Sequence, residues 1–346
     1  MSNSTIIRQA IAKAVATESL TRDEARAVMN DVMDGLATPA QIGSLITALR
    51  MKGETVEEIA GFAESMRGKS HRVETERVGL LDTCGTGGDG ADTFNISTAS
   101  AIVAAAGGIR TAKHGNRAMS SRSGSADVLE ALGVNITLNS VQAAQCLFHV
   151  GICFMFAQVY HQSMKYAAGP RKEIGVRTIF NLLGPLTNPA GADRQLLGVY
   201  DRSRTETIAR VLRELKLKRG LVVASEDGLD EISISAPTQI TELQGGEIRT
   251  YTVTPEELGL ERCEASDVVG GDAARNAAII RRVLEGDKGA CRSIVLANAG
   301  ACFYVADRCS SLQEGVKLAA EAIDSGKALT KLNELIRFTG EVNHVS

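Results

Sequence analysis

The sequence predicts an α/β protein in which a small all-helical N-terminal domain precedes a large α/β domain, with helices flanking a mainly parallel central sheet. Three observations predict it. Helix-capping pairs and helically spaced apolar residues run from Ser4 to about Lys69. Short apolar runs suited to strands then alternate with helical segments from Val78 to about Val159, and the alternation resumes after Leu196. Finally, the run Asp82 to Thr98, DTCGTGGDGADTFNIST, sets four glycines in six positions where a strand hands over to a helix. With 346 residues, 44% of them apolar, the chain suffices for one large domain or two of ordinary size.

The N-terminal part reads as about four short helices, over residues 1–72. Thr21 with Glu24 and Thr55 with Glu58 form capping boxes, and Thr38-Pro39 puts proline at a first helical position. Ile42, Leu45, Ile46 and Leu49 make an apolar face larger than so small a bundle buries alone. It is therefore expected to pack on a later segment and on another subunit.

Val78, Leu80 and Leu81 suit a buried strand, Ser97 to Ala106 a tightly packed helix, and Ala126 to Leu132 a second. ICFMFA, Ile152 to Ala157, is short and continuous, as a buried strand should be, and leads into a candidate site loop, VYHQSMKYAAGPRKEIG. IFNLLGPLTNPA combines an apolar helix with a Gly-Pro break and an Asn-Pro turn. A helix from about Ser203 to Leu217 ends in KLKR, expected to be a solvated terminus that complements the helix dipole. The strand GLVVAS follows and runs into EDGLDE, Glu226 to Glu231. Gln239 to Val253 reads as a hairpin through Gly245-Gly246, Thr254-Pro255 opens a short helix, and the rest is largely helical up to about Phe338. Within it, GACRSIVLANAGACFYVA is apolar and small enough to lie buried against the sheet.

Composition narrows the function classes. A net charge of −3 and a pI near 6.0 give no global attraction to nucleic acid or an anionic membrane. Aromatic residues are only 4% and tryptophan is absent, which argues against a base-stacking platform. Seven cysteines, an odd number with no C-x-x-C pair, suit reduced core residues of a cytoplasmic protein. Cys84 lies in the glycine loop, but no partner base is near it in sequence, so it reads as structural. No basic segment with an apolar run opens the chain, and no apolar run reaches the length of a membrane span, so export and insertion are not expected.

The glycine loop can offer unpaired backbone N–H groups and a helix dipole to a phosphate. It lacks the Lys-Ser/Thr pair of a P-loop. Gly85, Gly87 and Gly90 match G-x-G-x-x-G, but the helix starts late and no acid lies between Asp92 and Asp127 to take a ribose, so a dinucleotide site is not expected. A Gly-rich turn alone is also what an ordinary strand-to-helix connection looks like. A second run, KHGNRAMSSRSGSAD, raises the case for a phosphate ligand. It offers Lys113, His114, Asn116, Arg117 and Arg122 among hydroxyls and should leave the same sheet edge as the first. His161 and Arg171 are further candidates downstream. EDGLDE reads either as a surface turn or as hard oxygen ligands for magnesium.

CGTGGDG, FNIST, KHGNR, SGSADVLEALG, RKEIGVRTIFNLLGPLTNPA and EDGLDE, in this order and spacing, closely resemble the bacterial anthranilate phosphoribosyltransferases of tryptophan biosynthesis. The resemblance covers nearly the whole chain. It implies transfer of the phosphoribosyl group of 5-phosphoribosyl 1-diphosphate to the amine of anthranilate, by a cytoplasmic homodimer joined through its helical domain. It also implies that about residues 165–190 rejoin the small domain, leaving 73–164 and 191–346 as the large one. Carried over by position, Gly85, Gly88, Asp89, Thr93, Asn95, Ile96, Ser97 and Thr98 would bind the donor. Lys113, His114, Gly115, Asn116, Ser121 and Ser125 would do so from the second loop, with Lys113 as the cation for the diphosphate. Ser97, Asp230 and Glu231 would hold magnesium, two ions in all, and Lys113, Asp230 and Glu231 would carry the catalysis. Gly85, Asn116 and Arg171 would contact anthranilate, with the Arg171 fork on its carboxylate.

One stretch departs from the family pattern. Where many members carry FAPxxHPAMKHVAPVR, this chain has FAQVYHQSMKYAAGPR, with Gln158 and Gln162 for prolines, Tyr166 for histidine, and the later proline shifted to Pro170. Proline fixes φ, so the acceptor entrance is expected to differ while the phosphate loops do not. Two alternatives are a pyrimidine nucleoside phosphorylase, with no obligatory magnesium carboxylates, and a nucleic-acid-binding relative. The second should show a basic face and damaged motifs, whereas here the motifs are intact and the net charge is acidic.

Overall fold

A computed structural model describes residues 4–118 and 122–342. Four helices open the chain: α1 (Ser4–Val15), α2 (Arg22–Met33), α3 (Pro39–Lys52) and α4 (Val56–Lys69). The capping boxes of Thr21 with Glu24, Thr38 with Gln41 and Thr55 with Glu58 start α2, α3 and α4, each satisfying backbone N–H groups that the first helical turn leaves unpaired. Glu58 does more than cap. Fully buried, it accepts from Leu20 N–H and from Lys52 Nζ at 2.9 Å, which ties α4 to the α1–α2 link.

The large unit then follows as β1 (Leu81–Gly85), α5 (Ile96–Ala106), β2 (Thr111–Gly115), α6 (Ser125–Ala131), α7 (Ser140–Val150) and β3 (Ile152–Phe156). Next come α8 (Ala157–Tyr160), α9 (Lys165–Ile174), α10 (Ile179–Leu183), β4 (Arg194–Gly198), α11 (Thr205–Glu214), β5 (Arg219–Ser225), β6 (Thr238–Gln244) and β7 (Glu247–Val253). Helices α12 (Ala273–Glu285), α13 (Ala290–Val305), α14 (Leu312–Asp324) and α15 (Lys327–Glu341) complete it.

The strands form one sheet in the order β3-β2-β1-β4-β5-β6-β7. The first five are parallel, and β6 and β7 add an antiparallel hairpin at one edge through Gly245 and Gly246. Residues along β4 and β5 alternate between two cores. Leu196, Leu221 and Val223 face the cluster of α5 and α13, whereas Leu197, Val222 and Ala224 face a cluster built from α11, α1 to α4, and Ala167, Ile179 and Leu183 of α9 and α10. The apolar face of α3 is thus covered by later segments of the chain, as its size required. The α13 run is buried almost throughout, matching its sequence. No helix among the described residues is long and apolar enough to cross a membrane.

Three local expectations are corrected. Val78 is exposed and β1 starts only at Leu81, because Gly79 takes φ +71° and turns the chain before the strand. The candidate loop after β3 is largely helical, with Pro170 six residues into α9. Arg219, the last residue of KLKR, is no solvated terminus: it starts β5, is buried, and pairs with Glu242 at 3.2 Å and with Asp307. Charge runs resemble solvated faces in sequence, and only the long-range partners Glu242 and Asp307 reveal the difference.

Candidate active site at the strand switch point

Strand order fixes where a site can form. From β1 the chain builds outward through β2 and β3, and β4 and β5 extend the sheet on the other side of β1. Neighbouring loops therefore diverge at the C-terminal ends of β1 and β4 and leave a crevice, the place where open parallel sheets bind ligands. In register, Gly85 pairs with Gly198 and Gly115 with Phe156, so the strand ends lie level along one edge.

Asp230 fills that crevice. Its carbonyl oxygen lies 1.5 Å from where a Cβ on Gly198 would stand, and its Oδ2 2.3 Å from a Cβ on Gly85. Glycine at both strand ends is thus required by close approach. The Gly87 N–H donates to Asp230 Oδ2 at 2.7 Å, fastening the glycine loop to the acidic turn. Asp89 of the same loop lies beside Asp230. Burial first, then Asp89, hold the Asp230 carboxyl above its usual range, and burial first, then Asp230, raise Glu231. Asp230 is buried, which rules out a solvated surface turn there, although Glu226 stays exposed beside Arg202. Asp227 accepts from Ser233 Oγ and Ser235 Oγ and so shapes the turn.

Helix α5 aims its N-terminus at this acidic cluster. The Ser97 N–H and the Lys113 ammonium both act on Glu231. Lys113 is itself buried, and its Nζ donates to Thr83 O at 2.5 Å and to Ser97 Oγ at 3.1 Å. An ammonium has three N–H groups, so one is left for a ligand. Asn95 precedes α5 without capping it, because its side chain is used elsewhere: Nδ2 donates to Ser123 O at 3.0 Å, and Oδ1 accepts from Asn276 Nδ2 at 3.0 Å. Thr93 bridges to Val269 on the far side of the loop.

The second loop closes on itself around Gly115 and Gly124. Ser125 Oγ donates to Asn116 O at 3.3 Å, and a Cβ on Gly115 would stand 2.2 Å from Ser125 Oγ. Its two arginines are taken. Arg117 pairs with Asp127 and Glu130, each at 2.8 Å, and Arg122 sits 3.7 Å from Asp92. Ser121 lies outside the described residues.

The structure brings together Gly85, Gly88, Asp89, Ser97, Lys113, Asp230 and Glu231 in or beside one crevice, and sets Thr93, Asn95, Ile96 and Thr98 at its rim or in α5. His114 contributes only backbone there. Its ring is buried, 5.0 Å from the ring of His161, and burial pushes it down to about 3. His161 Nε2 bonds Thr187 O at 3.0 Å, and burial lowers it to about 4, so it packs the core. The thiol of Cys84 is pushed well up by burial and by Asp82, in keeping with its structural reading. Arg171 lies in α9 with its guanidinium 5.1 Å over the Phe180 ring. Gly198, Asn276 and Arg177 escaped sequence reasoning. Gly198 ends an ordinary strand, Asn276 lies in an amphipathic helix far downstream, and neither carries a local signal.

Comparison with known proteins decides the lineage. Residues 77–329 match the α/β domain, and residues 8–70 the helical bundle domain, of a glycosyl transferase family. The chain is 55% identical to the anthranilate phosphoribosyltransferase of Brevibacillus brevis over 99% of its own length and 100% of that protein's. The chain belongs to the anthranilate phosphoribosyltransferase family. Within the family, the enzyme from Acetivibrio thermocellus is 53% identical over 96% of this chain and 97% of that protein. The crystal structure of the Thermus thermophilus enzyme superposes with a TM-score of 0.91 at 44% identity, covering 95% of this chain and 99% of that one. The Saccharomyces cerevisiae enzyme in complex with PRPP and Mg gives 0.89 at 28% identity, covering 98% and 99%.

Proposed function

We propose that this chain transfers the phosphoribosyl group of 5-phosphoribosyl 1-diphosphate to the amine of anthranilate. The observation that carries it is the convergence of Asp89, Asp230 and Glu231 with Ser97 and Lys113 at the strand switch point, in a chain of this family. A phosphorylase would have no use for such a concentration of negative charge.

The acidic turn fits magnesium. Two adjacent carboxylates and a hydroxyl are hard oxygen donors, too few for an all-protein cage, and magnesium is commonly held by one or two carboxylates plus substrate phosphates. Ser97, Asp230 and Glu231 would hold it, as two ions, and when bound it supplies neutralisation of diphosphate charge.

The chain's own groups do the rest. Backbone N–H groups of the glycine loop and the α5 N-terminus cradle anionic oxygens, Lys113 offers its remaining N–H to the diphosphate, and Asn95, held by Ser123 and Asn276, fixes the loop around the donor. Gly88, Thr93, Ile96, Thr98, His114, Gly115, Ser121 and Ser125 complete the donor site. The amine nitrogen bonds to C1 as the C1–O bond breaks, diphosphate leaves, and the amine gives up a proton. Positive charge develops on the sugar and negative charge on the leaving group, so alignment and electrostatics suffice without a covalent nucleophile. Arg171 takes the anthranilate carboxylate, beside Gly85 and Asn116, with the altered Gln158 to Pro170 stretch shaping the entrance.

The helical unit, residues 1–72 completed by about 165–190, would join two copies in the cytoplasm. Ile6, Val15, Leu36 and Met51 remain exposed on it in the single chain and support that reading. Loss of anthranilate fluorescence on adding the donor, with and without magnesium, tests the activity. Magnesium-dependent loss with release of diphosphate is expected; donor binding without loss of fluorescence would refute anthranilate as the acceptor. Sedimentation velocity should give twice the mass of one chain.

A further inference from the structure

The glycine loop is clasped by a residue to which no role is assigned above. Arg177 lies between Gly175, which ends α9 with φ +68°, and Thr178, whose N–H bonds Asn181 Oδ1 at the start of α10. Its backbone is thus held on both sides. Its side chain crosses to the loop: the guanidinium stands 4.1 Å over the Tyr200 ring, and its Nε is 3.0 Å from where a Cβ on Gly88 would stand. Tyr200 is tied to the same loop, since its N–H donates to Thr86 Oγ1 at 3.3 Å and Thr86 N–H donates to Gly198 O at 2.9 Å.

What sets Arg177 apart is its unused donors. Near the two loops Arg117, Arg122 and Arg202 each have a carboxylate within 4 Å. Among the described residues Arg177 has neither a carboxylate nor a hydrogen-bond acceptor, and its guanidinium stacks on Tyr200. Stacking engages the face of a guanidinium and leaves its in-plane N–H groups free to fork onto an anion. Beside those N–H groups lies the loop segment that Gly87 fastens to Asp230, the end of the crevice assigned to the diphosphate.

We infer that Arg177 is a donor-binding residue whose guanidinium, oriented by Tyr200, grips the diphosphate of the phosphoribosyl donor. This rests on the functional reading above. It adds a cation from the α9–α10 link to a site otherwise built from the sheet edge, and explains why Gly88 has no side chain beneath it.

The test is titration calorimetry of magnesium pyrophosphate and of ribose 5-phosphate on the wild type, Arg177→Gln and Arg177→Lys, alongside donor KM. Glutamine keeps most of the stem over Tyr200, and thermal melts establish that each variant is folded. Arg177→Gln should weaken pyrophosphate about tenfold or more, as loss of a charge-assisted fork does, leave ribose 5-phosphate unchanged, and raise donor KM; lysine should restore part. Unchanged pyrophosphate affinity, or equal weakening of both ligands, overturns the assignment, the second because it marks a distorted loop. A wild type that neither turns over nor binds pyrophosphate overturns the functional reading instead.

Discussion

Gly85 is the position where one methyl group tests the whole arrangement. Its φ lies outside the left-handed region, so Gly85→Ala keeps the backbone. The new Cβ would stand 2.3 Å from Asp230 Oδ2 and 2.9 Å from its Cγ, whereas ordinary contact begins at 3.4 Å. The carboxylate must retreat by about 1 Å, and misplacing a reacting group that far costs on the order of 100-fold in rate. That corresponds to about 2.7 kcal/mol of transition-state stabilisation. Overpacking itself should cost about 1–3 kcal/mol of stability. Fluorescence assays across a magnesium titration should show donor kcat/KM down about 100-fold with a raised magnesium requirement, and urea melts should show a still-folded protein. An alanine variant with wild-type kcat/KM at every magnesium concentration would falsify the claim that the position of Asp230 matters to the reaction. Gly198→Ala is no substitute, because there the clash is with the Asp230 backbone carbonyl at 1.5 Å, which cannot rotate away.

Other perturbations separate the remaining roles. Arg171→Ala should raise the acceptor KM about 10- to 100-fold with little change in donor KM, and equal effects on both would remove Arg171 from the acceptor site. His114 and His161 are lowered to about 3 and about 4 from 6.5, so below about pH 6.5 the unfolded chain takes up protons that the native one refuses. Their contribution is therefore full above that pH and lost on acidification, by about 2 kcal/mol for each histidine at pH 5. Replacing both by glutamine should flatten the pH dependence of urea midpoints between pH 5 and 7; an undiminished slope would place the acid sensitivity elsewhere. Arg219→Ala leaves the buried Glu242 with one partner fewer and should cost about 3–5 kcal/mol of stability at unchanged donor affinity. An unaltered unfolding midpoint would show that pair to be dispensable.

By itself the sequence determined most of the features set by local spacing. Capping boxes marked the starts of α2 and α4 and Thr38-Pro39 that of α3, alternating apolar runs marked the α/β unit, and the glycine loop, KHGNR run and EDGLDE turn marked the candidate site. These were legible because caps, periodicity and glycine turns act over a few residues. Tertiary structure alone decided the rest. KLKR looked solvated until β5 carried Arg219 beside Glu242 and Asp307. His161 looked like a candidate ligand until packing closed around its ring, and the buried ring of His114 leaves only that residue's backbone for the donor. Gly198 and Arg177 acquire meaning only when β4 is set beside β1 and the α9–α10 link is laid over Tyr200. A close approach is a relation between distant residues, and no local pattern encodes the partner that makes a missing Cβ or an unpaired guanidinium matter.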